Sequence, residues 1–111
     1  MNVHQKDIVL LPYPFSNFEG DKARPAIVVS NDLLNMRSDD CIIVPVTGVI
    51  KDEPYSVLIN QENLVCGKLM KPSRVRADKI LTIEKDLIVM NIGRLDDKMF
   101  DKIKSEIIRM F

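Results

Sequence analysis

Apolar residues along this chain fall in short runs, separated by polar stretches that carry proline or glycine. Ile8-Val9-Leu10-Leu11 reads as a strand, and Pro12-Tyr13-Pro14 ends regular pairing after it, because proline cannot donate to a ladder. Residues 15–23 read as a loop holding Asn17, Gly20 and Asp21. Ala26 to Val29 is apolar at every position, which predicts a strand covered on both faces. Asn31 to Asp40 is polar around one apolar cluster and reads as a short helical turn. Cys41 to Val46 predicts another strand with Thr47-Gly48 at its end, and residues 55–59, 67–71 and 80–83 predict three more.

The pattern changes its period at the C-terminus. Between Asp96 and Phe111, apolar residues fall at Met99, Ile103, Ile107 and Met110, with Phe100 and Ile108 beside them. That spacing predicts a helix with one apolar stripe. Asp96 or Asp97 caps its start, since a carboxylate accepts from the free amides of the first turn. Gly93 lets the chain turn just before it. Five or six short strands and a terminal helix, at turn spacings of roughly ten residues, describe a mainly β fold: a small β-barrel or half-barrel. With no internal repeat and no low-complexity linker, residues 1–111 form one domain.

Composition narrows the partners. Lys and Arg total 16, Asp and Glu also 16, so no global field attracts nucleic acid or an anionic membrane, and any anionic partner must be held by a local patch. Cys41 and Cys66 fit no zinc spacing and no disulfide framework. They read as small buried thiols in a reducing cytoplasm, with a bridge as the minority alternative. The N-terminus lacks a signal-peptide pattern, and no apolar run approaches the ~20 residues of a membrane helix, so a cytoplasmic protein is expected.

The chain has no glycine-rich phosphate loop, no metal-ligand cluster and no nucleophile elbow. His4, the single histidine, excludes a two-histidine acid–base pair within one chain. Between Gly67 and Ala77 lie Lys68, Lys71, Arg74 and Arg76 and no acid. In an extended segment Arg74 and Arg76 share a face, with Val75 on the other. Such a cluster either holds phosphate oxygens or guards a solvated edge strand. Arg24 is fixed by Pro25 at a loop-to-strand junction, and Thr47 ends a strand beside Gly48. Together a guanidinium and a hydroxyl make a clamp for a phosphoryl group. Apart, they are a surface arginine and a strand-end threonine bonded to backbone. Tyr13, Phe15 and Phe18 can stack bases or staple the loop to the barrel.

Taken in order, Asp7-Ile8-Val9-Leu10, residues 20–30, Val44-Pro45-Val46-Thr47, Lys71-Pro72-Ser73-Arg74-Val75, residues 80–84 and Ile92-Gly93-Arg94-Leu95 resemble the MazF/PemK/Kid family of bacterial toxin endoribonucleases. The resemblance implies an SH3-like barrel that acts as a homodimer and is blocked by a cognate antitoxin. It implies cleavage of single-stranded RNA without metal or cofactor, leaving 2′,3′-cyclic phosphate and 5′-hydroxyl ends. Arg24 and Thr47 match the family's positions at the scissile phosphate. Phe15, Ser16, Asn17, Phe18, Lys22, Lys71, Ser73 and Arg74 are the residues expected along the RNA. Two departures stand out: Lys6 where a glycine usually precedes Asp7, and Ser73 where some relatives carry an acidic group. An arginine stays protonated at physiological pH, so Arg24 suits charge stabilisation and proton donation better than a base's role. The base stays open among water, another loop group and the substrate. The rival readings are a gyrase poison resembling CcdB and a catalytically silent interaction module.

Overall fold

The computed structural model describes residues 2–12, 23–48 and 51–111. Along the described chain run β1 (Asp7–Pro12), β2 (Ala23–Val28), α1 (Asp32–Arg37), β3 (Asp40–Thr47), β4 (Ser56–Ile59), β5 (Leu64–Gly67), β6 (Ser73–Arg76), β7 (Leu81–Glu84), β8 (Met90–Leu95) and α2 (Asp97–Ile108). The strands lie in the order β4-β6-β3-β2-β1-β8-β5, with β7 also paired to β3. The pairings are antiparallel, so this is the expected mainly β half-barrel with a C-terminal helix.

β3 bends the sheet by changing partner along its length. Asp40 to Ile43 pair with β7, whereas Val46 and Thr47 pair with β6, and Pro45 lies between the two stretches. The alternation of side chains then builds two cores. Ile8, Ile27, Val44, Val46 and Val75 point to one, which α2 closes with Met99, Phe100 and Ile103. Val9, Leu11, Ala26, Val28, Cys41 and Ile43 form the other with Val3 and Ile88. Ala26, Ile27 and Val28 are all fully buried, as a strand covered on both faces requires. The cap of α2 resolves to Asp96, whose carboxylate accepts from Met99 N at 2.7 Å.

Five readings change, the first being the strand count: eight strands stand among the described residues where five or six were expected, because β6 and β8 mix charged or polar residues with apolar ones and give no continuous apolar run. Residues 67–71 are not a strand: Gly67 ends β5, and residues 68–72 form the loop to β6. Gly67 has φ +89°, outside strand geometry, and Pro72 cannot donate to a ladder. Gly93 is not a turn before the helix but a buried rung of β8 facing Gly67. The space is needed, because a Cβ on Gly67 would stand 2.2 Å from Gly93 Cα. α2 ends at Ile108, so Met110 and Phe111 lie beyond the regular helix. Cys41 is a buried free thiol as expected, but Cys66 is free and exposed, because β5 is the last strand of the sheet order.

Candidate active site

Arg24 is the second residue of β2, opposite Leu11 in the β1–β2 ladder. Pro25 behind it fixes φ and holds the backbone. The β2–β3 rungs run Val28–Ile43, Ile27–Val44, Ala26–Pro45. The ladder ends there, with Arg24 two residues beyond it on β2 and Thr47 two residues beyond it on β3. On the far side of β3, Thr47 is paired directly with Arg74. β2 and β6 thus lie on either side of β3, each carrying an arginine toward the end of β3 that holds Thr47.

Two recesses open there. One, of about 290 Å³, is lined by Arg24, Val46, Gly48, Lys68, Lys71 and Ser73 among others. The second, of about 240 Å³, is lined by Thr47, Lys51, Glu53, Arg74 and Arg76. Arg24 borders the first recess and Thr47 the second.

The charged groups differ in how far they are already engaged. Arg76 donates to Asp78 from Nε at 2.9 Å and from Nη2 at 2.7 Å, and this pairing raises the Arg76 pKa and lowers that of Asp78. The basic run thus has its own acid one residue past the stretch counted in the sequence. Arg74 Nη1 reaches Ser56 Oγ and Asp52 at 3.5 Å, the latter carboxylate being almost fully exposed. Yet Arg74 Nε, and likewise Arg24 Nε, is a buried donor with no hydrogen-bond partner among the described residues. A buried donor left unmatched costs about 1–3 kcal/mol, and more when charged. Two such donors on either side of Thr47 are what an anion would satisfy.

Ser73 is buried and donates from Oγ to Lys71 O at 3.0 Å, so it shapes the loop carrying Lys71. Lys71 itself is exposed at the mouth of the first recess. Tyr13, Phe15, Ser16, Asn17, Phe18 and Lys22 lie outside the described residues. His4 stands apart from these residues: its Nδ1 is 3.5 Å from Asp32. Two contributors escaped the sequence reading. Gly48 gave no signal beyond its place after Thr47, and Gln61 holds the base of the 68–71 loop through Gly67 O (3.1 Å) and Leu69 N (2.7 Å).

Residues 4–111 match the sequence profile of the PemK-like, MazF-like toxins of type II toxin-antitoxin systems. The chain belongs to that family. Endoribonuclease EndoA of Bacillus subtilis (strain 168) is 28% identical over 90 residues, covering 81% of this chain and 77% of its own. Among solved structures, MazF (Form-I) from Deinococcus radiodurans superposes with a TM-score of 0.78 at 17% identity, over 99% of this chain and 96% of that one. An endoribonuclease from a mycobacterial species, solved in complex with its cognate antitoxin, gives 0.76 at 20% identity, over 96% and 92%. These two likenesses bear on the fold, and the half-barrel with its C-terminal helix is common to all three chains.

Proposed function

We propose that this toxin-family chain is a metal-independent, sequence-selective endoribonuclease that cuts single-stranded RNA and so arrests translation and growth. The observation that carries the reading is the pair of buried guanidinium donors, Arg24 Nε and Arg74 Nε, that have no hydrogen-bond partner among the described residues and lie on the strands either side of the one that ends in Thr47. In the reaction the ribose 2′-oxygen attacks the adjacent phosphorus. The P–O2′ bond forms as the P–O5′ bond breaks, the 2′-hydroxyl loses its proton, and the departing 5′-oxygen gains one. The products are a 2′,3′-cyclic phosphate and a 5′-hydroxyl. The nucleophile belongs to the substrate, so the protein's work is to fix the phosphate and neutralise the charge that builds on its non-bridging oxygens.

In this reading Arg24 and Thr47 stabilise that charge, and Arg24 also protonates the leaving oxygen. Lys22, Lys71, Ser73 and Arg74 position the backbone, and Phe15 to Phe18 order over the bases. A homodimer in the cytoplasm, blocked by a cognate antitoxin, completes the reading. The test is one assay: purified protein, a long RNA, EDTA, and mapping of the cut ends. Discrete cuts with cyclic phosphate ends are expected, and one 2′-deoxy substitution at a cut site should abolish cleavage there. Cleavage that survives that substitution sinks the mechanism. Trapped gyrase with intact RNA supports the CcdB-like alternative instead.

A further inference from the structure

We infer that Gly48 is a seat for the Lys71 side chain, and that the seated ammonium is a further cation on the RNA phosphate held beside Thr47. This rests on the endoribonuclease reading. A Cβ built on Gly48 would stand 2.6 Å from Lys71 Cε and 2.7 Å from Nζ. The end of the lysine therefore lies against the backbone of residue 48, one residue from Thr47, in the space a side chain would fill. Nothing in the backbone demands glycine there, since the left-handed glycine among the described residues is Gly67 and not Gly48. What the missing Cβ supplies is room.

The loop under Lys71 is built to keep it there. Gln61 donates to Gly67 O and accepts from Leu69 N. Lys68 N donates to Ile92 O at 3.0 Å, and Ser73 Oγ donates to Lys71 O at 3.0 Å. Leu69 is buried in the core between these ties. A long, flexible side chain thus leaves an anchored backbone and comes to rest over a glycine, in the recess that Arg24 also lines. No salt bridge engages the Lys71 ammonium among the described residues, unlike Arg76, which is clamped by Asp78. An ammonium there is a point charge with three donors, able to follow a phosphate that Arg24 grips in its plane.

The test is a double-mutant cycle on RNA cleavage, read as kcat/KM against salt concentration. Lys71→Met should lower kcat/KM about tenfold, as expected for one charge-assisted contact. It should also reduce the slope of log kcat/KM against log salt by about 0.7, one phosphate contact on a single strand. Gly48→Ala displaces only the flexible end of the lysine, so it should fold normally and reproduce much of both effects. The double variant should then be no worse than Lys71→Met alone. Additive losses, or a Gly48→Ala enzyme equal to wild type, overturn the seat. An unchanged salt slope in Lys71→Met overturns the phosphate contact. If Gly48→Ala folds poorly, Lys71→Ala on that background should restore the fold, and failure to do so overturns the seat equally. Wild-type protein that leaves RNA uncut refutes the endoribonuclease reading itself, whereas RNA cut at the wild-type rate without the coupling refutes the seat alone.

Discussion

Arg24 meets two demands that pull against each other. Its buried Nε finds no hydrogen-bond partner among the described residues, which costs stability, and the same burial leaves a donor ready for an anion. Arg24→Ala should therefore leave the protein as stable as wild type, or more stable by about 1 kcal/mol. The same change should lower single-turnover RNA cleavage by at least 10²–10³-fold, the scale set by losing one donor to a developing oxyanion. Arg24→Lys keeps the charge but not the planar fork, and should stay well below wild type. Urea unfolding beside cleavage of one defined oligonucleotide checks both halves, and a variant that cuts at the wild-type rate removes Arg24 from the site. Lys6 offers a similar test of backbone. It has φ +82°, where a side chain costs about 1–2 kcal/mol and glycine nothing. Its ammonium contacts Asp97 at 2.8 Å and lies 5.8 Å from the Phe100 ring. Lys6→Gly and Lys6→Ala both lose those contacts, so their difference reads the backbone alone. The glycine variant should be more stable than the alanine one by about 1 kcal/mol in urea unfolding, and equal midpoints would show no strain at residue 6.

Among the elements, those with a strong hydrophobic signature were legible, and those set by their neighbours were not. β1, β2 and β3 bury consecutive residues, so their apolar runs announce them. α2 announces itself by period and by Asp96. β5 is an edge strand with Val65, Cys66 and Gly67 exposed, and it gives no alternation to read. The apolar pair Leu69-Met70 suggested a strand instead, yet Leu69 is buried from a loop and Met70 is mostly exposed. Arg24 stood out because Arg-Pro is a local signal. Lys71 over Gly48 did not, because 22 residues separate them along the chain, and the contact exists only after β3 and β6 pair. The Gly67–Gly93 contact joins β5 to β8 by the same kind of long-range need. Gly67→Ala would force a left-handed alanine against Gly93 Cα and Ile92 O, both at 2.2 Å. Backbone cannot step aside as a flexible side chain can, so the expected cost is about 3 kcal/mol or more. Gly93→Ala, meeting Cys66 O at 2.8 Å, should cost less but remain clearly destabilising. Thermal unfolding midpoints rank the two, and a Gly67→Ala protein as stable as wild type would remove this contact from the fold.

At the scale of the molecule, equal numbers of acids and bases mean that no general charge repulsion builds up near neutral pH. The limits of stability are then set by particular groups. On the acid side, Asp32, Asp78 and Asp97 all have pKa values lowered from the ordinary 3.8. The causes are a hydrogen bond from Gln5 N for Asp32, from Arg76 for Asp78 and from Lys6 for Asp97. A depressed carboxylate stabilises the fold fully above its unfolded pKa, and that stabilisation is lost as pH falls through the lower folded value. On the alkaline side, burial pushes the Cys41 thiol from 9.0 to about 11. Above pH 9 the unfolded chain ionises Cys41 while the folded chain keeps it neutral, so the native state binds more protons and stability falls as pH rises. The loss reaches about 2 kcal/mol by pH 11. Under reducing conditions the unfolding free energy should therefore be level from about pH 5 to 9, then fall on both sides. Cys41→Ala should start lower, for the lost packing, but its curve should stay flatter between pH 9 and 11. An alkaline limb of equal steepness in the variant would mean that some other group sets that limit and that the buried thiol has no part in it.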